Sequence, residues 1–379
     1  MDSFPSRARH ASLIFSEKAE KISLDELSSY KSLHTLIVRD ESSLFDNKLP
    51  FLKHEQKFIA EMKFLSLLSL KQSSINQIIP DVICSLGLLR YLDLSRSSGI
   101  EELPDSICGL TYLQTLDVHS CTKLKKLPDN TAIHLTNLRY LNINGCKSLN
   151  SMPSYIGKLT KLREMPWFVV GKEAGEGIAE LKGMNRLKGR LEIRRLGNVG
   201  NGEEAKEADL KKIQLTSLVL EWTCTTDEKE DRSTIDEEVL ENLQPHINLK
   251  ELSLFRYKGS NLPSWLYHLH SLKHLELRDC PKLATLPDDM QHLGSLERLD
   301  LRNCPKLASL PEDLGNLGSL KYLLLSSCPQ IPSLPSTGLP KSLKSLTIQS
   351  SLAAVLLLFQ IKTFDMAMVQ RRLCVCGLK

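Results

Sequence analysis

Residues 272–295 read LKHLELRDCPKLATLPDDMQHLGS and residues 296–319 read LERLDLRNCPKLASLPEDLGNLGS, the same at 15 of 24 positions. A duplication at this period constrains the fold more than any single motif. A unit of 20 to 50 residues cannot bury its apolar face alone, so it must stack on copies of itself. In the register Leu-x-x-Leu-x-Leu, units start at Leu65, Leu89, Leu113, Leu138 and Leu162, and again at Leu249, Leu272, Leu296, Leu320 and Leu343. Fourteen residues after seven of these starts comes an apolar residue followed by proline: Ile79-Pro80, Leu103-Pro104, Leu127-Pro128, Met152-Pro153, Leu286-Pro287, Leu310-Pro311 and Leu334-Pro335. Leu33, Leu36 and Val38 form an earlier, degenerate unit.

Each unit reads physically as one strand and one return leg. Leu-x-Leu places its leucines on one face of a short strand and the x residues on the other, because side chains alternate across a strand. The proline fixes its own backbone angle and disfavours helix at the residue before it, so the return leg is irregular or a short helical turn. Parallel strands on an inner edge and bulkier return legs on an outer edge predict an α/β solenoid curved into a horseshoe.

The pattern Leu-x-x-Leu-x-Leu-x-x-Asn/Cys-x-Leu across residues 33–349 resembles the leucine-rich repeats. Cysteine in the Asn/Cys position, the Leu-Pro pairs and LKGRLEIRRLGNV at 187–199 are similar to sequence of plant coiled-coil nucleotide-binding leucine-rich-repeat (NLR) disease resistance proteins, and RARHASLI at 7–14 resembles the join between that family's switch module and its repeats. The resemblance implies a non-catalytic protein-recognition module in the cytoplasm. Its partners would be a pathogen effector or guarded host protein, and the nucleotide-binding domain of the parent receptor, faced by the repeats around Arg90, Arg96 and Arg139. No G-x-x-x-x-G-K-[ST] loop occurs in the chain, so nucleotide binding is not carried over. A signalling scaffold like the Ras-pathway leucine-rich-repeat proteins is the alternative. The organisation expected is a cap or junction at 1–32, a repeat domain at 33–349 with an irregular middle at 166–248, and a divergent tail at 350–379.

Composition narrows the remaining classes. A net charge of +4 over 379 residues, without a long basic run, gives nucleic acid no footprint. The longest apolar stretch, LAAVLLLF at 352–359, is far short of the roughly twenty residues that span a bilayer. The N-terminus lacks a secretory apolar region, and there is no Asn-x-Ser/Thr acceptor. Five of the ten cysteines, Cys121, Cys146, Cys280, Cys304 and Cys328, fall eight residues after their unit's first leucine, which marks a buried structural ladder. Cys374-x-Cys376 has no second pair at zinc spacing. His119, His268, His270, His274 and His292 are dispersed, with no nucleophile recurring beside them, so neither catalytic residue, cofactor nor metal site is assigned.

The binding surface is therefore expected at the strand x positions, the concave face of the solenoid. The candidates are Tyr91, Asp93, Arg96, His119, Tyr140, Asn142, Trp222, Phe255, Arg256, His274, Glu276, Arg278, Arg298, Asp300 and Arg302, a face mixed in charge with aromatic and arginine residues of the hot-spot type. VVGKEAGEGIAELKGM and TTDEKEDRSTIDEE in the irregular middle are expected to bulge as loops, with strands persisting at Leu191/Ile193 and Leu218/Leu220.

Overall fold

The computed structural model describes residues 8–15, 31–40, 61–71, 81–222, 231–349 and 373–376. The Ile79-Pro80 pair, the charged stretch 223–230 and most of the tail lie outside these residues. The chain divides into two compact units, residues 1–176 with 183–187, and residues 177–182 with 188–379.

In the first unit, strands β1 (His10–Phe15), β2 (Thr35–Asp40), β3 (Leu67–Ser69), β4 (Tyr91–Asp93), β5 (Thr115–Asp117) and β6 (Tyr140–Asn142) lie side by side in chain order, all parallel. Among the described residues the first strand of the ladder is β1, ahead of residue 33. Strand β7 (Trp167–Val169) follows. In the second unit β8 (Gly189–Arg194), β9 (Leu215–Glu221), β10 (Glu251–Phe255), β11 (His274–Arg278), β12 (Arg298–Arg302), β13 (Tyr322–Ser326), β14 (Ser345–Gln349) and β15 (Leu373–Cys376) again pair in parallel and in chain order. Leu275, Leu299 and Leu323 stand side by side in register, as do Leu277, Leu301 and Leu325, so one leucine column continues through successive repeats. All six are essentially inaccessible to water. Burying each such side chain favours folding by about 1.5–3 kcal/mol.

The return legs are short. Proline precedes 3-10 turns at Asp105–Gly109, Ser264–His268 and Glu312–Asn316, its fixed φ leading the chain in. Four short α-helices occur among the described residues: α1 (Asp81–Cys84), α2 (Thr131–His134), α3 (Gly202–Glu207) and α4 (Ser233–Asn242). Helix α4 corrects the expectation of a loop for residues 233–238, the end of the charged stretch. Its apolar residues Val239 and Leu240 are buried, and Trp265 Nε1 donates to Leu240 O at 3.0 Å. Glu237 and Glu241 accept backbone N–H groups of Ser260 and Ser264 in the next repeat. Strands at Leu191/Ile193 and Leu218/Leu220 are present as expected.

Seven strand exits pass through a non-glycine residue in the left-handed region: Arg96 (φ 61°), Ser120 (59°), Arg195 (59°), Arg256 (58°), Asp279 (56°), Asn303 (53°) and Ser327 (54°). Gly145 (φ 74°) takes the same place after β6, where an added Cβ would lie 3.0 Å from Ser120 Oγ. The kink aims the next side chain inward, and after Ser120, Gly145, Asp279, Asn303 and Ser327 that residue is the ladder cysteine. Cys121 donates to Leu94 O (3.2 Å), Cys146 to Val118 O (3.1 Å), and Cys280, Cys304 and Cys328 to Leu254 O, Leu277 O and Leu301 O at 3.8 Å. All five are buried and satisfy a carbonyl of the preceding repeat. Burial pushes the Cys121 thiol up to about 12 and that of Cys146 to about 11.

Candidate protein-recognition face

The x positions of the strands point away from the leucine core, and the two units use them differently. In the first unit the middle column is Ser69, Asp93, Asp117 and Asn142. Each of the last three folds its side chain onto the backbone N–H two residues on: Asp93 accepts from Ser95 N (2.9 Å), Asp117 from His119 N (2.9 Å) and Asn142 from Asn144 N (3.3 Å). Asp93 also accepts from Ser69 Oγ at 2.9 Å and is buried, so it belongs to the strand exit and is withdrawn from the expected surface. Asn142 donates to Asp117 Oδ2 at 3.3 Å, and His119 Nδ1 lies 3.2 Å from Asp117 Oδ1. These side chains close turns. Tyr91 and Tyr140 flank Thr115 at the strand starts, all three half-buried, while exposed Arg96 lies beyond its strand at φ 61°, its Nε 3.5 Å from His119 Nε2.

In the second unit the x positions of β11 and β12 carry charge that interlocks across strands. Register places His274 beside Arg298, Glu276 beside Asp300, and Arg278 beside Arg302. Asp300 is the hub. Arg298 grips it with two bonds, Nε to Oδ1 at 3.0 Å and Nη2 to Oδ2 at 2.9 Å, Arg302 Nη2 adds a third at 3.2 Å, and His274 Nε2 stands 3.9 Å away. Burial alone would raise the Asp300 carboxyl, but the contacts from His274, Arg298 and Arg302 outweigh it and hold the group well below the usual range. Glu297 accepts from Lys273 (3.0 Å) and Lys321 (2.6 Å), joining three repeats along the flank. Phe255 carries the Arg278 guanidinium 5.9 Å above its ring, and Arg256 Nη1 donates to Glu221 Oε1 at 2.6 Å.

Two more of the expected surface residues need correction. Trp222 is 1% exposed. It lies two residues beyond Leu220, which is two beyond Leu218, so alternation keeps it on the leucine side, where it packs against Tyr257 with ring centroids 5.0 Å apart. Asp300 is 2% exposed, covered by the two arginines that it holds. Arg256 is exposed but sits at the left-handed strand exit, not within the strand. Phe255, His274, Glu276, Arg278, Arg298 and Arg302 do share one surface. Sequence reading missed Tyr322, in register with Arg298 and 43% exposed. Its offset from the unit's first leucine equals that of His274 and Arg298, and this was the available signal. No group of three or more His, Cys, Asp or Glu among the described residues is placed to hold a metal ion. No helix among them is long and apolar enough to cross a membrane.

A parallel one-strand-per-repeat ladder, with leucines inside and a polar strand face outside, defines a leucine-rich repeat solenoid. Solved structures agree on this fold. An internalin, InlF, from Listeria monocytogenes superposes with a TM-score of 0.56 at 15% identity, covering 98% of this chain and 87% of that one. The functional domain of InlJ from the same organism, which includes a cysteine ladder, gives 0.56 at 16% identity over 87% of this chain and 65% of that one. The family described as R13L1/DRL21 LRRs matches residues 178–304, and a general Leucine Rich Repeat family matches 295–317. Among named relatives, putative disease resistance protein RGA1 of Solanum bulbocastanum is 39% identical over 136 residues, 35% of this chain and 13% of the relative. Putative disease resistance protein RGA4 of the same plant is 35% identical over 143 residues, 37% of this chain and 14% of that protein. Over about a third of its length the chain is thus similar to plant disease resistance proteins, and these matches span about a seventh or less of those relatives' length.

Proposed function

We propose that this chain is the protein-recognition module of a cytoplasmic plant immune receptor, sensing a pathogen effector or guarded host protein and restraining a nucleotide switch supplied by another part of the receptor. The observation that carries this reading is the division of labour across strands β10–β13. Leu275, Leu277, Leu299 and Leu301 are buried, whereas Phe255, Arg278, Arg298, Arg302 and Tyr322 stand on the opposite face, the arginines and aromatics being the residue types that anchor protein interfaces. The relatives' names, disease resistance proteins, supply the biological setting. Asp300, buried and gripped by Arg298 and Arg302, holds two arginines at the surface, an arrangement suited to recognition.

The test is to graft the chain in place of the matching repeats of a full-length relative and measure the defence cell-death response in leaves. Arg278→Ala with Arg298→Ala is expected to change the response, by loss of recognition or loss of restraint. Return-leg changes, Asp289→Ala and Lys306→Ala, are expected to leave it as it was. The reverse pattern would refute the reading.

A further inference from the structure

The strand face of β11–β13 is mixed in charge by composition but layered by depth. Its anions lie low: the Asp300 side chain is 3% exposed and that of Glu276 16%. Its cations lie on top: Arg278 is 52% exposed, Arg298 43% and Arg302 38%. A partner approaching this face meets guanidinium groups, with the carboxylates beneath serving as their mounts. The mounting is specific. Asp300 occupies Nε and Nη2 of Arg298 and Nη2 of Arg302, which leaves Nη1 of both unclaimed by it. Arg278 is held differently, over the Phe255 ring, with Nε 3.6 Å from Asp279 Oδ2. Tyr322, half-exposed beside Arg298, adds an aromatic surface on the far side.

From this layering we propose that the strand face of β11–β13 binds an acidic segment of a partner protein, its carboxylates received by Arg278, Arg298 and Arg302 and an apolar or aromatic side chain seated beside Tyr322. The inference rests on the protein-recognition reading above and adds the chemistry of the partner. Guanidinium groups fixed in advance lose little freedom on receiving a carboxylate and present a planar fork that matches it. Asp300 is thus a positioning residue: it neutralises part of the positive charge, yet it aims what remains.

That double role gives a test in which bulk charge and preorganisation predict opposite results. The probe is a fluorescein-labelled synthetic peptide rich in Asp and Glu with one Phe, compared with its Asn/Gln counterpart, titrated with the full 379-residue chain by fluorescence anisotropy at about physiological salt. The acidic peptide is expected to bind at least about tenfold more tightly than the amide peptide, as charge-assisted bonds allow. Arg278→Ala should weaken it several-fold, and Lys306→Ala on the return leg should not. Asp300→Asn, which raises the net positive charge, should weaken binding. Arg298→Lys, which keeps the charge and loses the fork, should do the same and covers the case in which Asp300→Asn folds poorly by circular dichroism. Equal binding of the two peptides, tighter binding by Asp300→Asn, or full affinity in Arg298→Lys would overturn the inference. So would displacement of the peptide by single-stranded RNA of equal charge, since it would make nucleic acid the better occupant. If the peptides fail while the strand-face variants still alter cell death, the acidic-partner inference falls and protein recognition stands. If neither responds, both fall.

Discussion

Asp236 shows how a single residue can work against the fold that contains it. It lies on α4, 1% exposed, with Arg232 Nε 3.9 Å from its Oδ1 and Trp222 close by. Burial is the largest influence and pushes its carboxyl up to about 6, against the opposing pull of Arg232, Lys258 and Lys282. The folded value exceeds the unfolded one. Below about pH 4 both states are protonated and nothing is lost, between about pH 4 and 6 only the unfolded state ionises, and above about 6 the full penalty applies. A rise of that size costs the fold on the order of 3 kcal/mol at neutral pH. Asp236→Asn is therefore expected to raise the melting temperature at about pH 7.5 and to leave it unchanged near pH 4. Denaturation scans across that range check this, and a variant less stable at the higher pH would show that the ionised carboxylate is needed. Trp222 beside it marks where residue-level reading went astray. Aromatic and polar context suggested exposure, but its even spacing from Leu218 and Leu220 had already assigned it to the core, and truncation there should cost about 3–5 kcal/mol of stability.

Among elements, the strands were legible because the leucine period states them directly: β10 to β14 begin two residues after Leu249, Leu272, Leu296, Leu320 and Leu343. The ladder cysteines and the proline-led turns follow from the same arithmetic. Helix α4 was hidden because TTDEKEDRSTIDEE announces charge, while the residues that anchor the helix, Val239 and Leu240, follow that stretch. The helix acts as a clamp on the repeat after it. Glu237 Oε1 accepts Ser260 N at 2.6 Å and Asn261 N at 3.3 Å, and Glu241 accepts Ser264 N at 2.8 Å as well as its hydroxyl. Glu237→Ala removes an acceptor from a part-buried N–H, a change on the order of 1–2 kcal/mol. Amide hydrogen exchange at Ser260 and Asn261 should speed up about tenfold while the strand β12 amides stay protected. Unchanged exchange at these two residues would mean that the helix does not hold that loop.

At the scale of the whole molecule, a stacked array separates what folds it from what it displays. Repeats contact their neighbours through the leucine columns, and each strand offers its other face at no cost to that packing. The depth layering of charge on β11–β13 could not be read from the sequence, because Glu276, Arg278, Arg298, Asp300 and Arg302 all occupy equivalent x positions. Only side-chain length and cross-strand pairing decide that the shorter Asp300 sinks while the arginines rise over it. The adjacent residues Leu277 and Arg278 of one strand test this separation most directly, by the free energy of chemical denaturation of Leu277→Ala and Arg278→Ala. Leu277 is fully buried, so its truncation should cost about 2–5 kcal/mol. Among the described residues the Arg278 side chain makes an exposed ring contact and a loose ion pair, so its truncation should fall within about 0.5 kcal/mol of the native chain. Equal destabilisation by the two would make Arg278 part of the scaffold and contradict a strand face free to receive a partner.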